Sequence, residues 1–227
     1  KGLGMLEKFH VAKEDIIHIE EERLRSVTKE ILITQGISEK DALLATDALI
    51  KADLRGVESH GVSNMLRAYL GAFQSNSLNP KPNWKIVKET ASCATINSDN
   101  GLGIVVAPQA MEIAVEKAKK TGAGIVTMNN CGHLGMLAYH SMIASDNDMI
   151  GTTMAACSPR MVPTYSSVRA LGTNPISYSA PADKLPDFVF DAAMTSVAGN
   201  KIVLASRLNV PLSPGWIADK DGNIYYV

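Results

Sequence analysis

Residues 53–61, Asp-Leu-Arg-Gly-Val-Glu-Ser-His-Gly, cut the helical pattern that fills the first third of the chain. Glycine costs a helix interior about 1 kcal/mol relative to alanine. Gly56 and Gly61, five residues apart, therefore end one helix and open another. The polar groups at this break, Arg55 just before the first glycine and Ser59 and His60 between the two, are expected on irregular backbone rather than on a helix face. Arg can hold a carboxylate with two parallel hydrogen bonds. His can move a proton near neutral pH. Together they suit a substrate with a carboxylate beside a reacting hydroxyl or carbonyl. The plainer alternative is a helix break whose polar groups cap neighbouring backbone. Asp53 and Glu58 are expected as structural partners of Arg55 or as solvated charges.

Periodicity places the break. Residues 12–35 read as a helix with Leu24, Val27 and Ile31 on one face. Gly36 is a C-terminal cap. Ser38-Glu-Lys-Asp41 resembles a capping box with Asp in place of Glu. A helix follows over about 39–53, and another over 63–73. Asn79-Pro80-Lys81-Pro82-Asn83 marks a linker or domain boundary. Beyond it, strands are expected at 94–98, 125–128, 150–156, 175–179 and 187–191. Helices are expected at 104–121 and 134–147, the first burying Ala107, Ala110, Met111, Ala114 and Ala118. Residues 211–227 are turn-rich, ending in Tyr-Tyr-Val without a clear terminal element. The expected fold class is α/β (α+β): a mainly helical domain over 1–80, carrying the Arg/Ser/His segment, and an α/β domain over 81–227.

Charge and cysteine usage narrow the functions. With 22 Lys and Arg against 23 Asp and Glu, the 227-residue chain has a net charge of −1. No basic face is implied, so nucleic acid and acidic membranes are poor partners. No apolar run approaches the ~20 residues of a membrane span, and the first eight residues lack a signal-peptide core. Cys93, Cys131 and Cys157 are odd in number and widely spaced, which argues against a disulfide framework or a zinc site and for a reducing, cytoplasmic compartment. No His/Asp/Glu cluster has metal-ligand spacing, so no metal is expected.

Three further segments can carry chemistry. Asn129-Asn-Cys-Gly-His-Leu-Gly135 follows an expected strand and opens a helix. Its glycines allow close backbone approach and its helix N-terminus suits an anion. His133 would then meet cofactor or substrate; otherwise the segment is a plain strand–helix turn. Leu171-Gly-Thr-Asn-Pro-Ile176 is either a ligand-gripping loop or an ordinary turn. In Phe188–Lys201, Asp191 ends an apolar strand, where it can orient a His or cap the next helix. Lys201 can pair with a cofactor phosphate or be a surface charge. Cys131 as a nucleophile lacks a base that can be placed, and His10, His18 and His140 have no motif around them. Gly101-Leu-Gly103 precedes a helix, but Val106 occupies the third glycine position of a dinucleotide fingerprint. Any nicotinamide cofactor must be held in some other way than by a Rossmann turn.

The blocks DLRGVESHG, GLGIVVAPQAM, NNCGHLGMLAYH, RALGTNP and FVFDAAMTSVAGNK, in this order, resemble the malate/L-lactate dehydrogenase family that lacks a Rossmann domain. Ureidoglycolate dehydrogenase, sulfolactate dehydrogenase and diketogulonate reductase are relatives. The similarity runs from about residue 13 to 223. It implies a helical domain plus a non-Rossmann α/β cofactor domain, hydride transfer between NAD or NADP and a small 2-hydroxy or 2-oxo acid, and a homodimer with its active site near the interface. By motif, His60 would be the general acid/base, Ser59 its support, and Arg55 the carboxylate clamp. His133 would lie near nicotinamide and substrate, and Asp191 would orient catalytic polar groups. Gly172, Thr173, Asn174 and Lys201 would contact the cofactor. Family members continue well past residue 227, so a C-terminally truncated or short relative is expected. The alternative is a truncated, non-catalytic homologue that dimerises or binds a small ligand.

Overall fold

A computed structural model describes Phe9, residues 13–219 and residues 221–224. The N-terminal octapeptide, His10, residue 12 of the first expected helix and the closing Tyr-Tyr-Val lie outside the described residues. Chain contacts divide the protein into two compact units, one of Glu20–Met154 with Ile176–Asp191, the other of Lys1–Ile19, Ala155–Pro175 and Ala192–Val227. Among the described residues no helix is long and apolar enough to cross a membrane.

The first unit begins with three helices, α1 (Glu21–Thr34), α2 (Glu39–Leu54) and α3 (Val62–Gln74). Gly36, at φ +87°, ends the α1 turn with its N–H on the Ile33 carbonyl. Ser38 is the N-cap of α2: the Asp41 N–H donates to Ser38 Oγ at 3.2 Å, and that hydroxyl donates to the Asp41 carboxylate at 2.8 Å, which gives the first half of the expected capping box with a side-chain bond in place of the second. Two features of α1 differ from the sequence reading. The helix starts at Glu21; among the described residues before it, Lys13–Asp15 form a 3-10 turn. Its core stripe is Leu24, Thr28 and Leu32, spaced four residues apart, and Val27 is 46% exposed. The i, i+4, i+8 row faces α2, and Val27 is turned away from it.

Beyond the proline-bounded break the chain alternates strand and helix: β1 (Lys85–Glu89), β2 (Cys93–Asn97), α4 (Gly103–Thr121), β3 (Ile125–Asn129), α5 (Ala138–Ser145), β4 (Gly151–Met154), β5 (Ile176–Ala180) and β6 (Phe188–Ala192). One sheet has the order β1-β2-β3, with β1/β2 antiparallel and β2/β3 parallel. The β2–α4–β3 crossover lays α4 against this sheet through Ile96, Val106 and Ala110. The other face of α4 presents Leu102, Ile104 and Val105 to the core of α1, α2 and α3, beside Leu32, Leu49, Tyr69 and Phe73. The α4 helix is thus buried on two sides. That explains why its core includes Ile104, Val105, Val106 and Val115 beyond the expected alanine stripe, while Met111 and Ala118 are only half-buried. The second sheet, β4-β5-β6, packs on α5. Hydroxyls knit that contact: Ser141 Oγ lies 2.8 Å from Ser177 Oγ, and Ser179 Oγ donates to the Ser141 carbonyl. α5 begins at residue 138 rather than 134, because Gly135 adopts φ +68°, a left-handed conformation that a helix cannot contain. β1 has no sequence alternation to reveal it, since all five residues are exposed.

The second unit holds α6 (Gly199–Leu208) and largely irregular backbone, including an antiparallel bridge between Met161 and Leu171.

Leu32 is fully buried and Val27 half-exposed on the same helix. Leu32→Ala is expected to cost about 2–5 kcal/mol, against about 0.5 kcal/mol or less for Val27→Ala. Urea midpoints of the two variants measure this. Equal losses would contradict the assigned face.

Candidate active site

The glycine-bounded break is built by helix ends. Arg55 caps the C-terminus of α2 with its N–H on the Lys51 carbonyl at 3.1 Å. Gly56, at φ +70°, reverses the chain, and Val57 N–H returns to the Ala52 carbonyl at 2.8 Å. A 3-10 turn over Glu58–His60 follows, closed by Asn64 Nδ2 donating to the Glu58 carbonyl at 2.6 Å. Asp53 takes neither expected role, partner of Arg55 or solvated charge. Its carboxylate accepts the Val62 N–H at 2.9 Å, neutralising the N-terminus of α3. A side chain at Gly61 would collide with that carboxylate and displace it from the Val62 N–H. Burial raises the Asp53 pKa, the Val62 hydrogen bond opposes this, and Glu58 adds to the rise.

The turn holds Ser59 and His60 half-buried, with Ser59 Oγ 2.8 Å from His60 Nδ1. Desolvation lowers the His60 pKa, favouring the neutral ring.

The second constellation meets the first through the backbone of α4. A side chain at Gly103 would collide with the carbonyls of Gly132 and His133, and Gly132 N–H donates to the Gly101 carbonyl at 2.9 Å. Gly101-Leu-Gly103, which reads as an incomplete dinucleotide fingerprint, therefore accepts protein backbone at close range. Val106, in the third glycine position, is a fully buried core residue. The seated loop is held at its far end by His140, whose Nε2–H donates to the Leu134 carbonyl at 2.7 Å. His140 is wholly buried, its Nδ1 meets no hydrogen-bond partner among the described residues, and burial lowers its pKa to about 4.

This seating brings two distant motifs together. The rings of His60 and His133 stack at a centroid distance of 5.4 Å with 13° between their planes. His133 Nδ1 lies 2.9 Å from the Tyr69 hydroxyl and accepts the Gly135 N–H at 3.3 Å. Burial raises the Tyr69 pKa, so the phenol keeps its proton. Burial also pushes the Cys131 thiol up, with a Ser98 hydrogen bond opposing it, which disfavours a thiolate nucleophile.

Arg55 is exposed and lines a cavity of about 350 Å³ with Lys51, Leu54, Tyr139, Asp146 and Asp187. Tyr139 forms a wall of it and is fixed from behind, donating to Asp47 at 2.8 Å while Arg25 holds the other oxygen of Asp47 at 2.9 Å. Asp191 accepts the Ala138 N–H at 2.7 Å and a further hydrogen bond from Leu137 N–H, so it caps α5. This is a preceding helix, reached across space, and not the next one in sequence. Burial raises the Asp191 pKa; the two backbone bonds and the charge of Arg55 lower it.

The remaining sequence candidates lie in the other unit. Asn174 Oδ1 accepts the Cys157 N–H at 3.1 Å, Thr173 O accepts the Met194 N–H at 2.8 Å, and a side chain at Gly172 would collide with the Cys157 carbonyl. The Gly-Thr-Asn segment is thus clamped between two neighbouring segments. Lys201 lies in the first turn of α6. His18 is exposed.

Tyr69 and His140 were not singled out as site residues from sequence. Tyr69 shares the buried α3 row with Met65 and Phe73. A phenol in an otherwise apolar row needs a partner for its hydroxyl, and that was the available signal. Nothing local distinguished His140.

The sequence model described as Malate/L-lactate dehydrogenase matches residues 19–225. Malate dehydrogenase of Pyrococcus horikoshii is 39% identical over 220 residues, covering 97% of this chain and 60% of that protein. L-sulfolactate dehydrogenase of Methanocaldococcus jannaschii is 40% identical over 193 residues, covering 85% and 56%. The solved structure of the M. jannaschii sulfolactate dehydrogenase aligns with a TM-score of 0.83 at 38% identity, over 92% of this chain and 60% of that one. The chain thus spans about 60% of the length of the relatives it matches.

His140 gives this site a pH signature. Unfolded, the ring takes a proton below its ordinary value of 6.5; folded, only below about 4. Between these values the unfolded state binds more protons. The contribution is intact above pH 6.5 and is lost as pH falls towards 4, by about 3 kcal/mol in all. His140→Gln, which keeps a donor for the Leu134 carbonyl, is expected to flatten the fall in urea stability between pH 7 and pH 5. An unchanged slope would contradict the burial of a neutral ring.

Proposed function

Because the chain belongs to the malate/L-lactate dehydrogenase family, we propose that it carries the reacting residues of an NAD(P)-dependent dehydrogenase of small 2-hydroxy acids, with His60 as the proton carrier. The stacked His60–His133 pair is the observation that carries this reading. It joins two motifs 73 positions apart within the first unit, setting the half-buried His60 against the exposed His133.

A desolvated, neutral His60 is a competent base. Were its Nδ1–H donated to Ser59 Oγ, 2.8 Å away, the lone pair would be on Nε2. That nitrogen takes the hydroxyl proton of a 2-hydroxy acid during oxidation and returns it to the carbonyl oxygen of the 2-oxo acid during reduction. Arg55 would hold the neighbouring carboxylate in a bidentate fork, fixing which face of the reacting carbon is presented. Asp191 would act on this arrangement through Arg55 and through α5, whose end it caps.

A bound nicotinamide would supply or remove the hydride. The residues present suit such a group. Lys201 and the N-terminal turn of α6 have the chemistry for a pyrophosphate, and a Cβ at Gly199 would meet no atom within 4 Å, leaving room for an anion. Gly172, Thr173 and Asn174, in the same unit, would add backbone and amide contacts. Either NAD or NADP serves this chemistry. Leu54 (64% exposed), Ile150 (77%) and Met154 (62%) are apolar surface that a partner copy would cover, in keeping with a homodimer whose interface runs close to Arg55. Three free cysteines support a cytoplasmic setting.

A panel of malate-, lactate- and sulfolactate-type 2-oxo acids with NADH and NADPH, read by absorbance, tests the proposal. Turnover with at least one acid is expected. His60→Gln should lower it by about 10²–10⁴-fold with little change in cofactor affinity, and Arg55→Lys should raise KM. Near-normal turnover in His60→Gln would remove His60 from the role.

A further inference from the structure

We infer that Tyr69 is a positioning residue that locks His133 as the neutral, Nε2-protonated tautomer, making His133 the hydrogen-bond donor to the substrate oxygen and leaving proton transfer to His60. The inference deepens the dehydrogenase reading and rests on it for the substrate's identity, but not for the tautomer itself.

The tautomer follows from donor and acceptor chemistry. A backbone N–H can only donate. Gly135 N–H is directed at His133 Nδ1 at 3.3 Å, so that nitrogen carries a lone pair and no proton. The Tyr69 hydroxyl, 2.9 Å from the same atom, must then donate to it as well. Tyr69 is 2% exposed, and its pKa is raised by burial, so the proton stays on the phenol. Two donors on Nδ1 leave the ring proton on Nε2. Any acceptor that Nε2 meets receives a hydrogen bond from it.

The geometry makes this assignment stiff. Tyr69 lies on the buried row of α3, between Met65 and Phe73. Gly135 is held at φ +68°, where a Cβ would press on Ile104. Both donors are therefore anchored in the core that carries α3 and α4. The stack at 5.4 Å then separates the roles. Two cationic imidazoles face to face at that range would repel each other. A proton on His133 Nδ1 would face the Gly135 N–H, a group that can only donate. His60, whose Nδ1 meets only a hydroxyl that can donate or accept, is the member of the pair free to change its charge.

The test is the ¹⁵N spectrum of histidine-labelled intact protein, without cofactor or substrate, at a pH alkaline of the histidine range. His133 should show a pyridine-like Nδ1 and a pyrrole-like Nε2. Tyr69→Phe removes only the hydroxyl and keeps the ring in the core. In that variant the two His133 resonances should move towards each other as the other tautomer becomes populated, while the His140 resonances stay in place. A protonated Nδ1 in the unmodified protein overturns the inference, and so do His133 resonances unmoved in Tyr69→Phe. Because no turnover is read, a chain inactive on every acid but showing this spectrum would sink the dehydrogenase reading alone.

Discussion

Everything about the candidate site depends on one close contact, that of the Gly132–His133 backbone on the side-chain-free face of Gly103. No other residue type at 103 leaves room for those carbonyls. The contact sets the loop after β3 directly on the first turn of α4, and the opposite flank of α4 is embedded in the α1–α3 core. A motif from the helical third and a motif from the α/β portion thereby become neighbours. The stacked imidazoles are the consequence, and Tyr69, rising from α3 to His133, is the tie between the two halves of the constellation.

Charges around the pair go largely to framework. Asp53 neutralises the start of α3, Asp191 the start of α5, and Asp47 links Arg25 to Tyr139. A carboxylate at a helix N-terminus satisfies orphan N–H groups and complements the helix dipole. These acids hold the elements that carry Arg55, His60 and His133 rather than pairing with the imidazoles directly. His60 is left half-buried and desolvated beside the exposed ring of His133.

Local rules made much of this legible in the sequence. The Ser38 cap, the Gly36 terminator, the break at Arg55–Gly61 and the strand-to-helix loop at 129–135 each follow from residues within a few positions of one another. What was hidden depends on long-range packing. Val27 and Thr28 are distinguished only by which one faces α2, and an apolar count favours the wrong residue. β1 lacks alternation because neither of its faces is buried. The glycines at 101 and 103 announce close approach without saying what approaches. A dinucleotide phosphate and a protein loop make the same demand on them. Asp191 was readable as a helix cap, but its helix lies some fifty residues earlier in the chain. Tyr69 and His140 act through partners 64 and six positions away, and only the second spacing is local.

The central claim is that the glycine face of α4 is what places His133 against His60. Nuclear Overhauser contacts between the two imidazole rings measure it directly. A ring-to-ring cross-peak is expected in the unmodified protein, and its loss is expected in Gly103→Val, with the Leu32 core resonances retained. Absence of the cross-peak in the unmodified protein, or its survival in the valine variant, would contradict the account.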